Sequence, residues 1–338
     1  MHLLKNSTLD FDKIKYTKRK LLIAAKRNEA VNNIFWLSME KRIKISVIIP
    51  NWNGRKLLEK NLPAVLATGA DEVIVIDNGS VDGSQEYLER LKDSKKDNKT
   101  KIKIIFNKKN LGFVKGINQG VGVAQNEVVV LLNNDVVPDK NFLFPLIEDF
   151  RDPKIFAVSL NEPQWSWAEA RWEKGFIEHQ PGPRTKNPHI SFWASGGSGA
   201  FRRELWSKLG GFDILYFPFY WEDVDLSYRA WKRGYKIIWD PRSIVYHKHE
   251  GTIGKKFSKN YIDFVSQRNQ LLFIWKNISS FSMLSYHRLM LAKKLFTKPG
   301  YWRPFLAALS KFPLIFPRRL KELREKKVSD KEIFNQFQ

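Results

Sequence analysis

Four short stretches hold residues that could do chemistry. In VVVLLNNDVVPD, residues 128–139, an apolar run leads into Asn133, Asn134 and Asp135. A carboxylate flanked by amides offers hard oxygen ligands to a divalent cation, which would also take phosphate oxygens. The plainer alternative is a cap near Pro138. In YWEDVDLSYRA, Glu222, Asp223 and Asp225 crowd the start of a helical pattern, behind Phe217, Phe219, Tyr220 and Trp221. Acids in a first turn complement the helix dipole, but carboxylates set among aromatic rings are desolvated, which moves a pKa toward general-base range. In SIVYHKHEGT, His247 and His249 would share one side of a strand. Either alone reads as an ordinary hydrogen-bonded histidine; alongside Asp135 one becomes a metal ligand. In VIVIDNGSVDGS, Asp77 ends a strand. It makes an Asx-type turn, with Ser80 or Asp82 capping the next helix, or it accepts hydrogen bonds from a ribose hydroxyl or a base N–H.

These residues must be presented by strands. ISVII, ended by Pro50 and the turn-like NWNG, is a short β-rich run. DEVIVID, KIKIIF and EVVVLLN repeat the pattern of short strands buried on both faces. RKLLEKNLPAVLATG, VDGSQEYLERLK, the Gly-rich GFVKGINQGVGVAQ and PDKNFLFPLIEDF alternate with them at helical spacing. Such alternation predicts a parallel sheet with helices on both faces. Ligands bind such sheets beyond the carboxyl ends of the strands, where Asn51, Asn53, Asp77, Asn107, Asn110, Asn133, Asn134 and Asp135 stand. After Phe150 the alternation loosens. Residues 161–189 are expected as irregular loops. The segment from ISFWASGG to LGGFD predicts a strand, a glycine turn, a strand and a short helix. The helix after Tyr220 should stop near Gly234. KIIWD and SIVYH predict two short strands, and the chain is mostly helical from Phe257 onward.

A chain of 338 residues with 43% hydrophobic and 14% aromatic residues can build a substantial core. It has no cysteine, which excludes a disulfide framework and a zinc–cysteine site. The longest apolar stretch near the N-terminus, LLIAA, is too short for a signal peptide, and no window reaches the length needed to cross a bilayer. A cytoplasmic protein is the expectation. The net charge of +23 implies an acidic partner. Together with 12 tryptophans it raises a nucleic-acid-binding alternative, since such charge attracts any polyanion. No recognised nucleic-acid-binding motif is present, and strand-end acids would repel phosphates without a metal, so no nucleic-acid partner is expected.

The order of the motifs resembles family 2 glycosyltransferases, and most of all the bacterial branch with rhamnosyl- and galactofuranosyl-transferases. VIIPNWNG, VIVIDNGSVDGS, NKKNLGFVKGINQG, LLNND, GGSGAFRRE, YWEDVDLSYRAWKRGY, VYHKHEGT and SQRN carry the resemblance. It implies a GT-A fold: an α/β, Rossmann-like, mostly parallel sheet flanked by helices, here with a helical basic C-terminal extension. It implies that Pro50, Asn51, Asn53, Asp77, Asn110, Asn118, Asn133 and Asn134 hold the nucleotide. Asp135 and His247 would bind Mg2+ or Mn2+, and Arg268 would contact the diphosphate. Asp223 would be the base that deprotonates the acceptor hydroxyl. Trp193, Gly196, Gly197, Trp221 and Glu222 would shape the acceptor and sugar pocket. Asn133 stands where the family's first metal-motif aspartate is usual, which loosens the metal assignment. The implied partners are a nucleotide-sugar donor, dTDP-rhamnose first and UDP-sugars next, and a glycan or lipid-linked acceptor in cell-surface polysaccharide synthesis. A sugar-nucleotide-binding pseudoenzyme is the alternative.

Three segments are expected: a basic extension over residues 1–40, a catalytic domain over 41–255 and a helical region over 256–338. MEKRIKISVIIP, from Met39, looks like a natural beginning of the fold. Residues 288–327 hold twelve Lys or Arg against two Glu, interleaved with YWRPFLAAL and FPLIF. That mixture suits an interfacial segment docked on an anionic membrane surface, on the inner face of the cell membrane. A helical cap with solvated charges is the alternative.

Overall fold

The computed structural model describes residues 42–94, 100–247 and 256–337. Strand β1 (Ile45–Asn51) sends Val47 and Ile49 into one core and Ile48 into the other, as a two-residue period requires. Helix α1 (Arg55–Leu66) buries Leu58, Leu62 and Val65 along one stripe. Strand β2 (Glu72–Asp77) is buried at every position. After α2 (Ser84–Ser94), β3 (Lys101–Phe106) forms a half-exposed edge, where Lys101 and Lys103 discourage further pairing. The Gly-rich α3 (Phe113–Val123) lies close on the sheet: a Cβ on Gly120 would sit 2.7 Å from Ile48 and Ile76. Strand β4 (Val128–Leu132) is fully buried and is followed by β5 (Val136–Pro138), α4 (Leu143–Asp149) and β6 (Ile155–Asn161).

Residues 161–189 are not only loops. They form a hairpin of β7 (Ala168–Glu173) and β8 (Phe176–Pro181), closed by Lys174 and Gly175 at positive φ. Two left-handed residues in succession match the twist of a two-residue hairpin. Next come β9 (His189–Ile190), β10 (Ser198–Arg202), α5 (Arg203–Leu209) and α6 (Glu222–Lys232). The two short strands expected next are one strand, β11 (Lys236–His247), with a register shift between Asp240 and Ile244. The chain ends in α7 (Lys259–Asn277), α8 (Phe281–Thr297), α9 (Trp302–Leu309), α10 (Phe312–Glu325) and α11 (Asp330–Asn335).

The sheet order is β3-β2-β1-β4-β10-β6-β11-β5, with β9 beside β11. Strands β3, β2, β1 and β4 are parallel, as are β6 and β11. Strand β10 runs antiparallel between the two groups. The result is a mixed, mostly parallel sheet flanked by helices.

The C-terminal helices share the core of this sheet. Phe334 and Phe337 pack on Phe192 at 5.7 and 5.4 Å, and Lys232 Nζ meets Asp330 Oδ1 at 2.8 Å. Residues from Ile43 onward form one compact unit. The expectations for residues 1–40 and His249 lie outside the described residues. Among the described residues no helix is long and apolar enough to cross a membrane.

Candidate active site

The ends of β1, β4 and β11 open on a cleft of about 730 Å³. Asn51 pairs in register with Asp77. Buried Asp77 accepts Asn51 Nδ2 on one carboxylate oxygen, and the Ser80 N–H and Gln85 Nε2 on the other, all at 2.9 Å. Asp77 therefore makes the Asx-type turn and orients Asn51 from behind, without lining the cleft. Asn53, at φ 49°, accepts the Val81 N–H and donates its own N–H to Ser80 Oγ, both at 2.8 Å. It fastens the first two strand-end loops together and also stays out of the cleft lining. Asn51 Oδ1 accepts Asn134 Nδ2 at 2.8 Å. A Cβ on Gly54 would come within 2.2 Å of that Asn134 nitrogen, which is why this loop carries glycine. Pro50, Asn51, Asn110, Asn133 and Asn134 all line the cleft. Asn118 does not: its amide brackets the Phe212 backbone, donating to the carbonyl at 2.8 Å and accepting the N–H at 3.0 Å.

Asp135 is buried on the cleft wall, and its Oδ1 lies 3.1 Å from His247 Nε2. Its other oxygen, Oδ2, is buried with no hydrogen-bond partner. His247 Nδ1 is 3.2 Å from Glu162 Oε1. Burial lowers the imidazole pKa, but hydrogen bonds to Asp135 and Glu162 outweigh it and raise the pKa to about 9. Glu162 follows β6 directly and obeys the same strand-end logic as Asp135. It lies beyond Phe150, where the strand–helix alternation in the sequence loosens and no longer marks a strand end. Among the described residues, no three His, Asp or Glu side chains form a ready metal cage. The pair Asp135 and His247 fits a cation that shares its other positions with diphosphate oxygens and water. An unpartnered buried carboxylate oxygen is the feature such an ion would satisfy.

Asp223 sits half-buried in the first turn of α6 and lines the same cleft. The Gly196 N–H reaches its Oδ2 at 3.2 Å and the Val224 N–H its Oδ1 at 2.8 Å. Burial raises its pKa, and these N–H groups hold back part of the rise. Burial pushes neighbouring Glu222 up to about 8, with the charges of Asp223 and Asp225 adding to the effect. The turn through Ser195, Gly196 and Gly197 joins the two corners of the site: Asn133 N–H donates to Gly197 O at 2.9 Å, while Gly196 N–H holds Asp223. A Cβ on Gly197 would lie 2.5 Å from Asn133 Nδ2.

Phe217, Pro218, Phe219 and Tyr220 form an aromatic wall of the cleft. Tyr220 and Trp221 adopt φ 66° and 79°, a costly conformation for bulky residues. Asn269 Nδ2 stabilises it by donating to the carbonyls of Tyr216, Phe219 and Tyr220 at 2.8, 3.0 and 2.9 Å. The expectation for Arg268 changes here. Its guanidinium donates to Phe217 O at 2.6 Å and to Asn269 Oδ1, so it braces the wall and does not line the cleft. Trp193 and Trp221, expected in the sugar pocket, do not line the cleft; both rings meet His179, at 5.0 and 6.2 Å. Sequence reasoning also passed over Trp52 and Lys256. Both line the cleft, with Lys256 Nζ 3.4 Å from the Trp52 ring centroid.

The family model described as glycosyl transferase family 2 matches residues 46–210. Residues 46–210 of the chain are thus similar to family 2 glycosyltransferases. The poly-beta-1,6-N-acetyl-D-glucosamine synthase of Staphylococcus aureus (strain COL) is 25% identical to this chain over 217 residues, 62% of the chain and 51% of the synthase. The chain thus spans about half the length of that relative. GalNAc-T7, solved with UDP, GalNAc and Mn2+, shares the fold at a TM-score of 0.56 and 20% identity, over 72% of this chain and 49% of the other. A mannosyltransferase from Pyrobaculum calidifontis, solved with GDP-Man and Mn2+, does so at a TM-score of 0.53 and 18% identity, over 85% of each chain. These likenesses make the fold GT-A.

Proposed function

We propose that this chain is a metal-dependent inverting glycosyltransferase. It moves a sugar from a nucleotide-diphosphate donor to a hydroxyl of a glycan or lipid-linked acceptor, on the inner face of the cell membrane, in cell-surface polysaccharide synthesis. One observation carries the reading: Asp223 and the Asp135–His247 pair line the same cleft, joined by one glycine turn.

Asp223, with a raised pKa, takes the proton of the acceptor hydroxyl. The acceptor oxygen bonds to the anomeric carbon as the sugar–phosphate bond breaks and the nucleotide diphosphate leaves. With a single base opposite the leaving group, the anomeric centre inverts. Mg2+ or Mn2+, held by Asp135 and His247, would neutralise charge on the departing diphosphate. Pro50, Asn51, Asn110, Asn133 and Asn134 offer amides and backbone to the nucleotide, and Glu222, Gly196 and Gly197 shape the space between nucleotide and base. The candidate donors are dTDP-rhamnose first and UDP-sugars next.

The test is incubation with UDP-, dTDP- and GDP-sugars, with and without Mn2+, and mass spectrometry of the nucleotide released. Release from one donor, dependent on metal and stimulated by an acceptor, is expected. Tight nucleotide-sugar binding with no release from any donor would favour the pseudoenzyme and sink the transferase reading.

A further inference from the structure

We propose that the outward faces of α8, α9 and α10 form a docking surface for an anionic lipid bilayer. The proposal deepens the functional reading by naming the surface on which the acceptor is met.

Each helix buries one side in the fold and turns a second apolar row outward. On α8, Phe281, Leu289 and Phe296 are 78, 62 and 86% exposed, and a turn of about 100° per residue places them within one arc of the exposed side. On α9, Trp302, Leu306 and Leu309 repeat at i, i+4 and i+7 and are 45, 53 and 45% exposed. On α10, Phe312, Phe316 and Leu320 repeat at i, i+4 and i+8 and are 47, 56 and 42% exposed. A neighbouring face of each helix, about 100–120° around from the exposed row, is anchored by buried His287, Leu291 and Leu295 on α8 and Ile315 on α10. Eleven of the 21 large hydrophobic side chains exposed among the described residues fall in residues 281–320. Soluble monomers rarely expose apolar side chains in such concentration without a partner.

The charges choose the partner. Of the basic residues on this segment, Lys311, Arg318 and Arg319 are engaged inside the fold, with Leu215 O, Asp213, and the carbonyls of Trp275 and Ile278. Glu322 and Glu325 are both paired with Arg233. Arg288, Lys293, Lys298, Arg303, Lys321 and Arg324 remain exposed beside the apolar rows. A second copy of the chain would bring the same positive charge against itself. A nucleic acid would leave the apolar rows in water. An anionic bilayer takes both, the rings and leucines entering the interface and the cations meeting headgroups.

The surface is also continuous with the cleft. Phe219 and Phe257 line the cleft and pack at 5.2 Å. Ring contacts continue through Tyr261 at 5.3 Å to Phe264 at 6.2 Å. Arg303 of α9 lies 5.2 Å over Phe264. An acceptor anchored in the bilayer would therefore reach the cleft along an aromatic path.

Vesicle flotation of the full chain tests the proposal. Wild type should float with vesicles containing phosphatidylglycerol, and less so with phosphatidylcholine alone or at high salt. The variant Leu289→Ser/Phe296→Ser/Leu306→Ser/Phe316→Ser changes only exposed side chains. It should float at least tenfold less, with an unchanged melting temperature and unchanged transfer to a soluble acceptor. Arg288→Glu/Lys293→Glu/Lys298→Glu should lose the preference for anionic vesicles. Equal flotation of the serine variant and wild type, or no preference for anionic lipid, would overturn the dock. So would a wild-type dimer that the serine variant dissolves, or an oligonucleotide binding that it abolishes. Transfer without flotation defeats the dock alone; flotation without transfer supports the dock and defeats the reaction.

Discussion

Asp223, Asp135 and Glu222 have different environments, and each makes its own prediction. Asp223→Asn keeps the shape and loses the proposed base. Nucleotide-sugar binding should persist while turnover falls by about 10²–10⁴-fold, the usual worth of a general base; turnover within a few-fold of wild type in a steady-state assay would refute the role. Asp135→Ala and His247→Ala remove the two side chains proposed to hold the cation. Calorimetric titration of UDP or dTDP should then lose the tightening that Mn2+ gives wild type, and EDTA should abolish transfer by the wild-type enzyme. Glu222 supplies a pH test. Its folded pKa of about 8 lies above the ordinary glutamate value of about 4.3. Between those values the unfolded chain has lost a proton that the folded chain keeps, so this group's contribution to stability falls as pH rises through the window. Glu222→Gln never ionises. Its melting temperature should gain on wild type from pH 5 to pH 8 and then hold level; parallel curves would contradict the assignment.

At the scale of elements, the site is a set of strand ends joined by short polar braces. The first turn of α6 is the most demanding, because two left-handed aromatic residues precede the base. Helix α7 fixes that turn through Asn269, which is fully buried. Asn269→Ala would leave three carbonyls without their donor, at about 1–3 kcal/mol for each one that stays dry. A lower melting temperature is expected, with kcat falling more than KM rises, since the base is displaced more than the nucleotide amides. A rise in KM alone would mean that α7 serves the donor side. In the β7–β8 hairpin Trp, Pro and charge mask the strand alternation, and Lys174-Gly175 marks the turn.

At the scale of the whole molecule, a buried charge network ties α6 to the C-terminal helices. Asp225, fully buried, accepts from Tyr216 Oη and Arg229 Nε, both at 2.7 Å, from Asn277 Nδ2 at 2.8 Å and from Lys276 Nζ at 2.9 Å. Lys276 and Arg318 also meet Asp213. Asp225→Asn removes the anion and leaves Arg229 and Lys276 buried with less compensation. A loss of about 3–5 kcal/mol is expected in urea unfolding. A loss below about 1 kcal/mol would show that water reaches the network. The C-terminal region is therefore an integral brace of the catalytic fold as well as the bearer of an outward apolar face.

The sequence by itself determined the alternating strands and helices, because buried strands must be short apolar runs and their ends must be polar where a ligand enters. It also placed Asp135, His247, Asp223 and the glycine turn in order along the chain. Which of them meet was decided only by the tertiary structure. Asp77, Asn53, Asn118 and Arg268 carry the right chemistry but are committed to internal donors and carbonyls, and spacing cannot show which atoms a side chain's neighbours already occupy. Glu162 reached His247 through pairing of β6 with β11, a contact 85 residues apart in sequence. The outward rows of α8, α9 and α10 could be seen in composition, but not their exposure. An amphipathic helix has to hide one face, and only packing tells which face is left to the solvent.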